Sequence, residues 1–222
     1  MMNPPSPAAD LVTETLTVAG RAITIAHPRS AEDLIDEREY ARDERLPYWA
    51  DLWPSAHVLA DALAARDLNG VRVLEVGCGV GLPAIVAALG GARVLASDWY
   101  QPALAQAAAN ARANGARVDT LLLDWRHPPA ALMDGDGFDL IVGADVLYEE
   151  RNGVALAELL PGLCRARGEI LIADPRRPHA DALIEPLRTA GWHHAVETHA
   201  HRRRVDESGA LINLHRLHPP RR

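Results

Sequence analysis

Residues 71–99, VRVLEVGCGVGLPAIVAALGGARVLASDW, constrain this chain more than any other stretch. They read as strand, glycine loop, helix and second strand, with an acid at the second strand's tip. Val71, Val73, Leu74 and Val76 form the nearly continuous apolar run that a strand buried on both faces needs. Gly77, Gly79 and Gly81 then carry the backbone through a tight turn. Pro83 fits the first turn of a helix, where a missing N–H costs nothing. Residues 84–89 continue that helix, and Gly90-Gly91 end it. Residues 93–97 form the second strand. Asp98 follows at its carboxyl end, where open α/β sheets bind ligands.

The loop's spacing bears on the ligand. A dinucleotide fingerprint, G-x-G-x-x-G, would put its third glycine at position 82. Leu82 stands there, and the third glycine comes one residue early. Glu75 points the same way, because a carboxylate just before the loop repels a pyrophosphate yet can pair with a cation. S-adenosylmethionine offers an α-ammonium for Glu75 and two ribose hydroxyls for Asp98. Neither point decides alone, since an acid after the second strand accompanies both ligands. Together they favour S-adenosylmethionine over NAD.

The chain's 222 residues suffice for one full α/β domain with its own core. Its net charge of −7 argues against a nucleic-acid binder, which usually presents a basic face. No apolar run approaches the roughly 18 residues of a membrane span. The N-terminus, MMNPPSPAAD, lacks a charged region followed by an apolar one, so a cytoplasmic location is expected. Cys78 and Cys164 make no disulfide framework, and Cys78 reads most simply as a small side chain in the loop.

Around this centre the rest of the chain falls into place. Residues 1 to about 10, with Pro4, Pro5 and Pro7 among small residues, are expected to be disordered. Residues 11–26 alternate and turn at residues 19–21, which predicts a hairpin. Glu14 interrupts its apolar side, so the first strand should be only partly covered. Residues 30–45 are charged and predicted helical. Tyr48, Trp49 and Trp53 cluster within residues 46–54 just before an apolar helix over 57–65. Such a cluster is either a staple on the core or the lid of a ligand site. Residues 101–113 form an alanine-rich helix, and 118–123 a third strand with Asp124-Trp125 at its end. An indole can stack on adenine and a carboxylate can accept from its amino group; the alternative is a surface turn. Residues 138–144 are a fourth strand with Asp145 at its tip.

Helix 154–166 contains Pro161, which should kink or break it. Residues 169–173 are a fifth strand, 178–190 a helix containing Pro186, and 192–199 and 210–217 two strands that should pair antiparallel. The predicted fold is a Rossmann-like, doubly wound, seven-stranded, mostly parallel sheet with an antiparallel C-terminal hairpin. Residues 1–45 form an N-terminal extension and 46–218 the main domain. His193, His194, His199 and His201 fit no zinc spacing, so no metal is expected. Arg202, Arg203 and Arg204 read as a solvated run, with an acidic partner or RNA as the alternative.

The segments PYWADLWPSA (47–56), LEVGCGVGLP (74–83), ASDW (96–99), LLDW (122–125) and GADVLYE (143–149) resemble methyltransferase family 16, S-adenosylmethionine-dependent enzymes that include protein-lysine methyltransferases. PYWAxxWP and the Asp174-Pro175-x-Arg177 run look most like the branch acting on electron-transfer flavoprotein β. The glycine-loop segment is closer to other branches. The resemblance implies that Trp53 closes over the cofactor and that Glu75, Gly77, Cys78 and Gly79 hold its methionine end. Asp98 would bind the ribose, Trp99, Asp124 and Trp125 the adenine, and Ala144 the cofactor through its backbone. Asp145 and Tyr148 would face the methyl acceptor. Without the resemblance, Asp145 reads as a helix cap and Tyr148 as core. The expected partner is a protein presenting a lysine side chain, with no nucleic acid and no membrane, and the chain itself is expected to be a monomer. A nicotinamide-like small-molecule acceptor and a non-catalytic cofactor-binding protein are the alternatives. All 23 of the chain's lysine-plus-arginine positions are arginine, so it has no lysine of its own to methylate.

Overall fold

A computed structural model describes residues 10–31, 34, 46–201 and 209–220. Most of the helix expected over 30–45, the arginines 202–204 and residues 1–9 lie outside the described residues. In chain order the elements are β1 (Leu11–Val18), β2 (Arg21–Pro28), a 3-10 turn (Tyr48–Ala50), α1 (Pro54–Ala64), β3 (Arg72–Val76), α2 (Leu82–Leu89), β4 (Arg93–Asp98), α3 (Gln101–Ala113), β5 (Val118–Leu122), α4 (Ala130–Met133), β6 (Phe138–Ala144), α5 (Glu150–Leu163), β7 (Cys164–Asp174), α6 (Asp181–Thr189), β8 (His193–His201) and β9 (Ala210–His218).

Seven strands form one sheet in the order β5-β4-β3-β6-β7-β9-β8, and β1 and β2 form a separate hairpin. The pairs joining β5, β4, β3, β6 and β7 are parallel, whereas β7–β9 and β8–β9 are antiparallel. The apolar runs are continuous because both faces are covered. Val73, Leu140, Val142, Leu171 and Leu214 pack on one face with residues of α1, α2 and α3. Leu74, Val76, Ile141, Ile170 and Ile172 pack on the other with residues of α5 and α6. The chain reverses direction across the sheet between β3 and β6, so the loops at their carboxyl ends part there and leave a crevice.

The hairpin reads as expected, with Leu11 opposite Pro28 and Val18 opposite Arg21. Val18, Ile23 and Ile25 join the core that contains α1 and α2. Glu14, on the covered side, meets His27 Nε2 at 3.2 Å. Two expectations need correction. Pro161 does not break its helix, which continues to Leu163, whereas the helix containing Pro186 runs on to Thr189 as expected. Pro161 sits in the last turn, so the missing N–H costs one bond near an end that frays anyway. The fifth strand is longer than residues 169–173 and starts at Cys164, with a register shift between Phe138 and Leu140. Its first residues, CRARG, carry no apolar pattern, and of them Cys164 pairs with Phe138 before the register shift.

Candidate active site

A cavity of about 350 Å³ opens at the carboxyl ends of β3, β4, β5 and β6. Every residue singled out by the sequence lines it: Trp53, Glu75, Gly77, Cys78, Gly79, Asp98, Trp99, Asp124, Trp125, Ala144, Asp145 and Tyr148.

One half of this wall is organised by backbone. Asp98, buried at the end of β4, accepts from Gly79 N and from Tyr100 N, both at 2.9 Å. Its carboxylate is thereby fixed in place at the cavity wall. Cys78 N donates to Ser97 O at 2.9 Å, tying the loop to β4. Gly77 has φ +65°, and a Cβ there would lie 2.8 Å from Val146 Cγ1. The bare backbone is therefore required on steric grounds, and it leaves a cradle against Trp125. Glu75 is fully buried, and its Oε2 accepts from Ala84 N at 2.9 Å, capping α2. Burial pushes its pKa well above the usual carboxylate range, opposed by that bond and reinforced by nearby Asp98. Burial likewise keeps the Cys78 thiol protonated.

Asp124 serves a turn as well as the wall. It accepts from Arg126 N at 3.0 Å and contacts His127 Nδ1 at 2.9 Å. Partial burial would raise its pKa, but these bonds outweigh it and hold the group low. The Arg126 guanidinium sits over Trp99, 5.7 Å from the ring centroid. Trp125 Nε1 is buried without a hydrogen-bond partner. An orphan donor beside a glycine cradle and a fixed carboxylate suits a nucleoside carrying an amino acid tail.

The other half is built from side chains. Asp145 has a left-handed backbone, φ +56°, held by its N–H to Ala173 O at 2.8 Å. Such a conformation costs a non-glycine residue about 1 kcal/mol or more, which β6–β7 pairing overcomes. The helix-cap reading of Asp145 does not hold: Glu149 is the N-cap of α5, and Asp145 Oδ1 instead accepts from Arg177 Nε at 2.9 Å. Burial raises the Asp145 pKa and Arg177 opposes it. Behind this pair lies Asp174, wholly buried, with Oδ2 accepting from Arg177 N at 2.8 Å and Oδ1 unpartnered. Burial lifts its pKa to about 6, and the charge of Asp145 adds to the rise. Tyr148 is half-buried and meets Tyr48 edge-on at 5.4 Å between centroids. Tyr48 in turn meets Trp53 at 6.0 Å, and Trp53 Nε1 donates to Tyr48 O at 2.8 Å. The aromatic cluster thus belongs to the cavity wall.

The sequence placed Tyr48 only in an aromatic cluster that could staple the core or cover a ligand, and gave no role to Arg177 or Asn152; all three line the cavity. Arg177 carried a signal in the Asp-Pro-x-Arg run. Asn152 carried none, and its Nδ2 is buried without a partner. The histidines stack in pairs, His57 with His201 and His194 with His215. Among the described residues no group of side chains is arranged to hold a metal ion. No helix among them is long and apolar enough to cross a membrane.

Residues 46–184 match a family model described as lysine methyltransferase. Protein N-lysine methyltransferase METTL21A of Danio rerio is 35% identical over 162 residues, covering 68% of this chain and 73% of that protein. The electron transfer flavoprotein beta subunit lysine methyltransferase of Xenopus laevis is 31% identical over 134 residues, covering 59% of this chain and 53% of that protein, about half its length. Magnesium protoporphyrin IX methyltransferase from Synechocystis PCC 6803, solved with bound SAH, superposes with a TM-score of 0.57 at 20% identity, covering 74% of this chain and 81% of that one. At that identity the likeness is one of fold.

Proposed function

The chain belongs to the lysine methyltransferase family and is an S-adenosylmethionine-dependent methyltransferase, and we propose that its acceptor is a lysine side chain of another protein. One observation carries the reading: the cavity that holds the glycine loop and Asp98 also holds Asp145, Tyr148 and Tyr48. A cofactor site and a site for a cation thus share one wall. The relatives named above as lysine methyltransferases support the same acceptor.

The bound cofactor supplies a methyl group on a sulfonium, already a good leaving group, so the protein's part is positioning and exclusion of water. Glu75, Gly77, Cys78 and Gly79 take the methionine end. Asp98 takes the ribose hydroxyls. Trp99, Asp124 and Trp125 surround the adenine, Ala144 contributes backbone, and Trp53 closes the site. Asp145 attracts and orients the acceptor, while Tyr148 and Tyr48 offer ring faces to its charge.

A lysine has an ordinary pKa of about 10.4 and must shed a proton before it can attack. A bare carboxylate would hold that proton in place. Arg177 offsets part of the charge of Asp145, so the carboxylate still orients the acceptor but holds its proton less firmly, and that proton passes to water before the amine attacks.

The test is incubation with radiolabelled S-adenosylmethionine and an extract of the host. One labelled band, with methyl-lysine found by mass spectrometry, is the expected result. Because this chain contains no lysine, that residue must belong to a partner. Label confined to small molecules would overturn the reading.

A further inference from the structure

Outside the cavity wall, one side chain joins two parts of the molecule that share no chain continuity. Asn110, on α3, is 2% exposed. Its Nδ2 donates to Val80 O, inside the glycine loop, at 2.9 Å. The same Nδ2 donates to Ala26 O of β2 at 2.9 Å, and its Oδ1 accepts from Ala26 N at 3.0 Å. Gln106, one turn earlier, adds a bond from Nε2 to Ala26 O at 3.0 Å. Asn114, one turn later, takes Thr24 N and Thr24 O at 2.9 and 2.7 Å. Carboxamides four residues apart on one helix face thus hydrogen-bond the open edge of the hairpin, as a neighbouring strand would. Among the three, Asn110 is the one with a bond to the loop. Next to it, a Cβ on Gly81 would lie 2.9 Å from Ala107 Cβ, so α3 already abuts the loop.

We propose that Asn110 is a positioning residue for cofactor binding, and that the N-terminal hairpin acts through it as a brace on the glycine loop. The hairpin lies outside the stretch that matches the family model, so family membership does not imply this role. The inference rests on the reading that the glycine loop and Asp98 hold the cofactor. A buried asparagine with both ends satisfied fixes the Val80 carbonyl, and with it the direction of the loop N–H groups on either side. Removing the carboxamide leaves the Val80 carbonyl and both Ala26 groups without these bonds.

Calorimetry with S-adenosylhomocysteine tests this without any knowledge of the acceptor. Asn110→Ala is expected to weaken binding about tenfold, a size typical of losing well-made buried hydrogen bonds. Asn114→Ala, which loosens the hairpin and leaves the loop bonded, is expected to stay within about twofold of wild type. Equal effects of the two substitutions, or none from Asn110→Ala, would overturn the proposal. Asp98→Ala checks the underlying reading separately: unchanged binding there would remove the cofactor site itself.

Hydrogen exchange on the unmodified protein gives a second arm that does not depend on a variant folding. Coupling between two sites is reciprocal. S-adenosylhomocysteine should therefore slow exchange of the Ala26 amide severalfold, and more than that of the Thr24 amide. An Ala26 amide indifferent to the ligand would overturn the brace.

Discussion

The two halves of the cavity wall differ in what they are made from. Around β3 and β4, backbone does the holding. Asp98 is fixed by two main-chain N–H groups, Glu75 by a third, and Gly77 by the lack of room for a side chain. Around β6 and β7, side chains do it: Asp145, Arg177 and Asp174 form a partly buried charge cluster, with Tyr48 and Tyr148 alongside. A wall of backbone suits a ligand that never changes. A wall of side chains can be re-specified one residue at a time without disturbing the other half. We propose that the labour is divided, with cofactor affinity set by the first half and acceptor chemistry by the second.

The largest effect should come from breaking the backbone half. Gly77→Ala puts a methyl against Val146 in a left-handed conformation, and affinity for S-adenosylhomocysteine should fall more than about a hundredfold by calorimetry. Binding within threefold of wild type would show that the cradle is not used. In the side-chain half, Asp145→Asn should lower label transfer about a hundredfold while leaving cofactor affinity within twofold.

Arg177→Gln is subtler. It leaves Asp145 buried and unbalanced, so the carboxylate holds protons to higher pH and grips an acceptor ammonium more firmly. Label transfer near neutrality should drop about tenfold, with the rising limb of its pH profile displaced upward. A uniform drop with an unmoved profile would make Arg177 merely structural.

The smallest effect concerns stability. Asp174 has a folded pKa of about 6, raised chiefly by burial. The folded state thus holds a proton that the unfolded chain releases near pH 4, and stability falls as pH rises from about 4 to about 6. Asp174→Asn should leave Tm unchanged below about pH 4 and raise it slightly by pH 8, by about 1 kcal/mol in stability.

The backbone half was legible in the sequence because it is local. Glycine spacing, an acid before the loop and an acid after the next strand all lie within one strand-helix-strand unit, and each residue type answers a backbone need. The side-chain half was legible only in its anchors. Asp145 and Tyr148 lie three positions apart on one loop, but the Arg177–Asp145 bond spans 32 positions and exists because β6 and β7 are neighbours. The Tyr48–Tyr148 contact is more remote still in sequence. Asn110 was hidden for another reason: in an alanine-rich helix the apolar period sets the reading, and a buried asparagine looks like an exception to it. The start of β7 was missed because its first residues carry no apolar pattern and lie in a register shift between Cys164 and Glu169.

The most direct test of the divided wall measures both halves on one variant. Wild type and Asp145→Asn are compared for S-adenosylhomocysteine affinity by calorimetry and for label transfer into the host extract. The account predicts matching affinities and the disappearance of the labelled band in the variant. Loss of affinity in step with the band, or a band that persists, would contradict it.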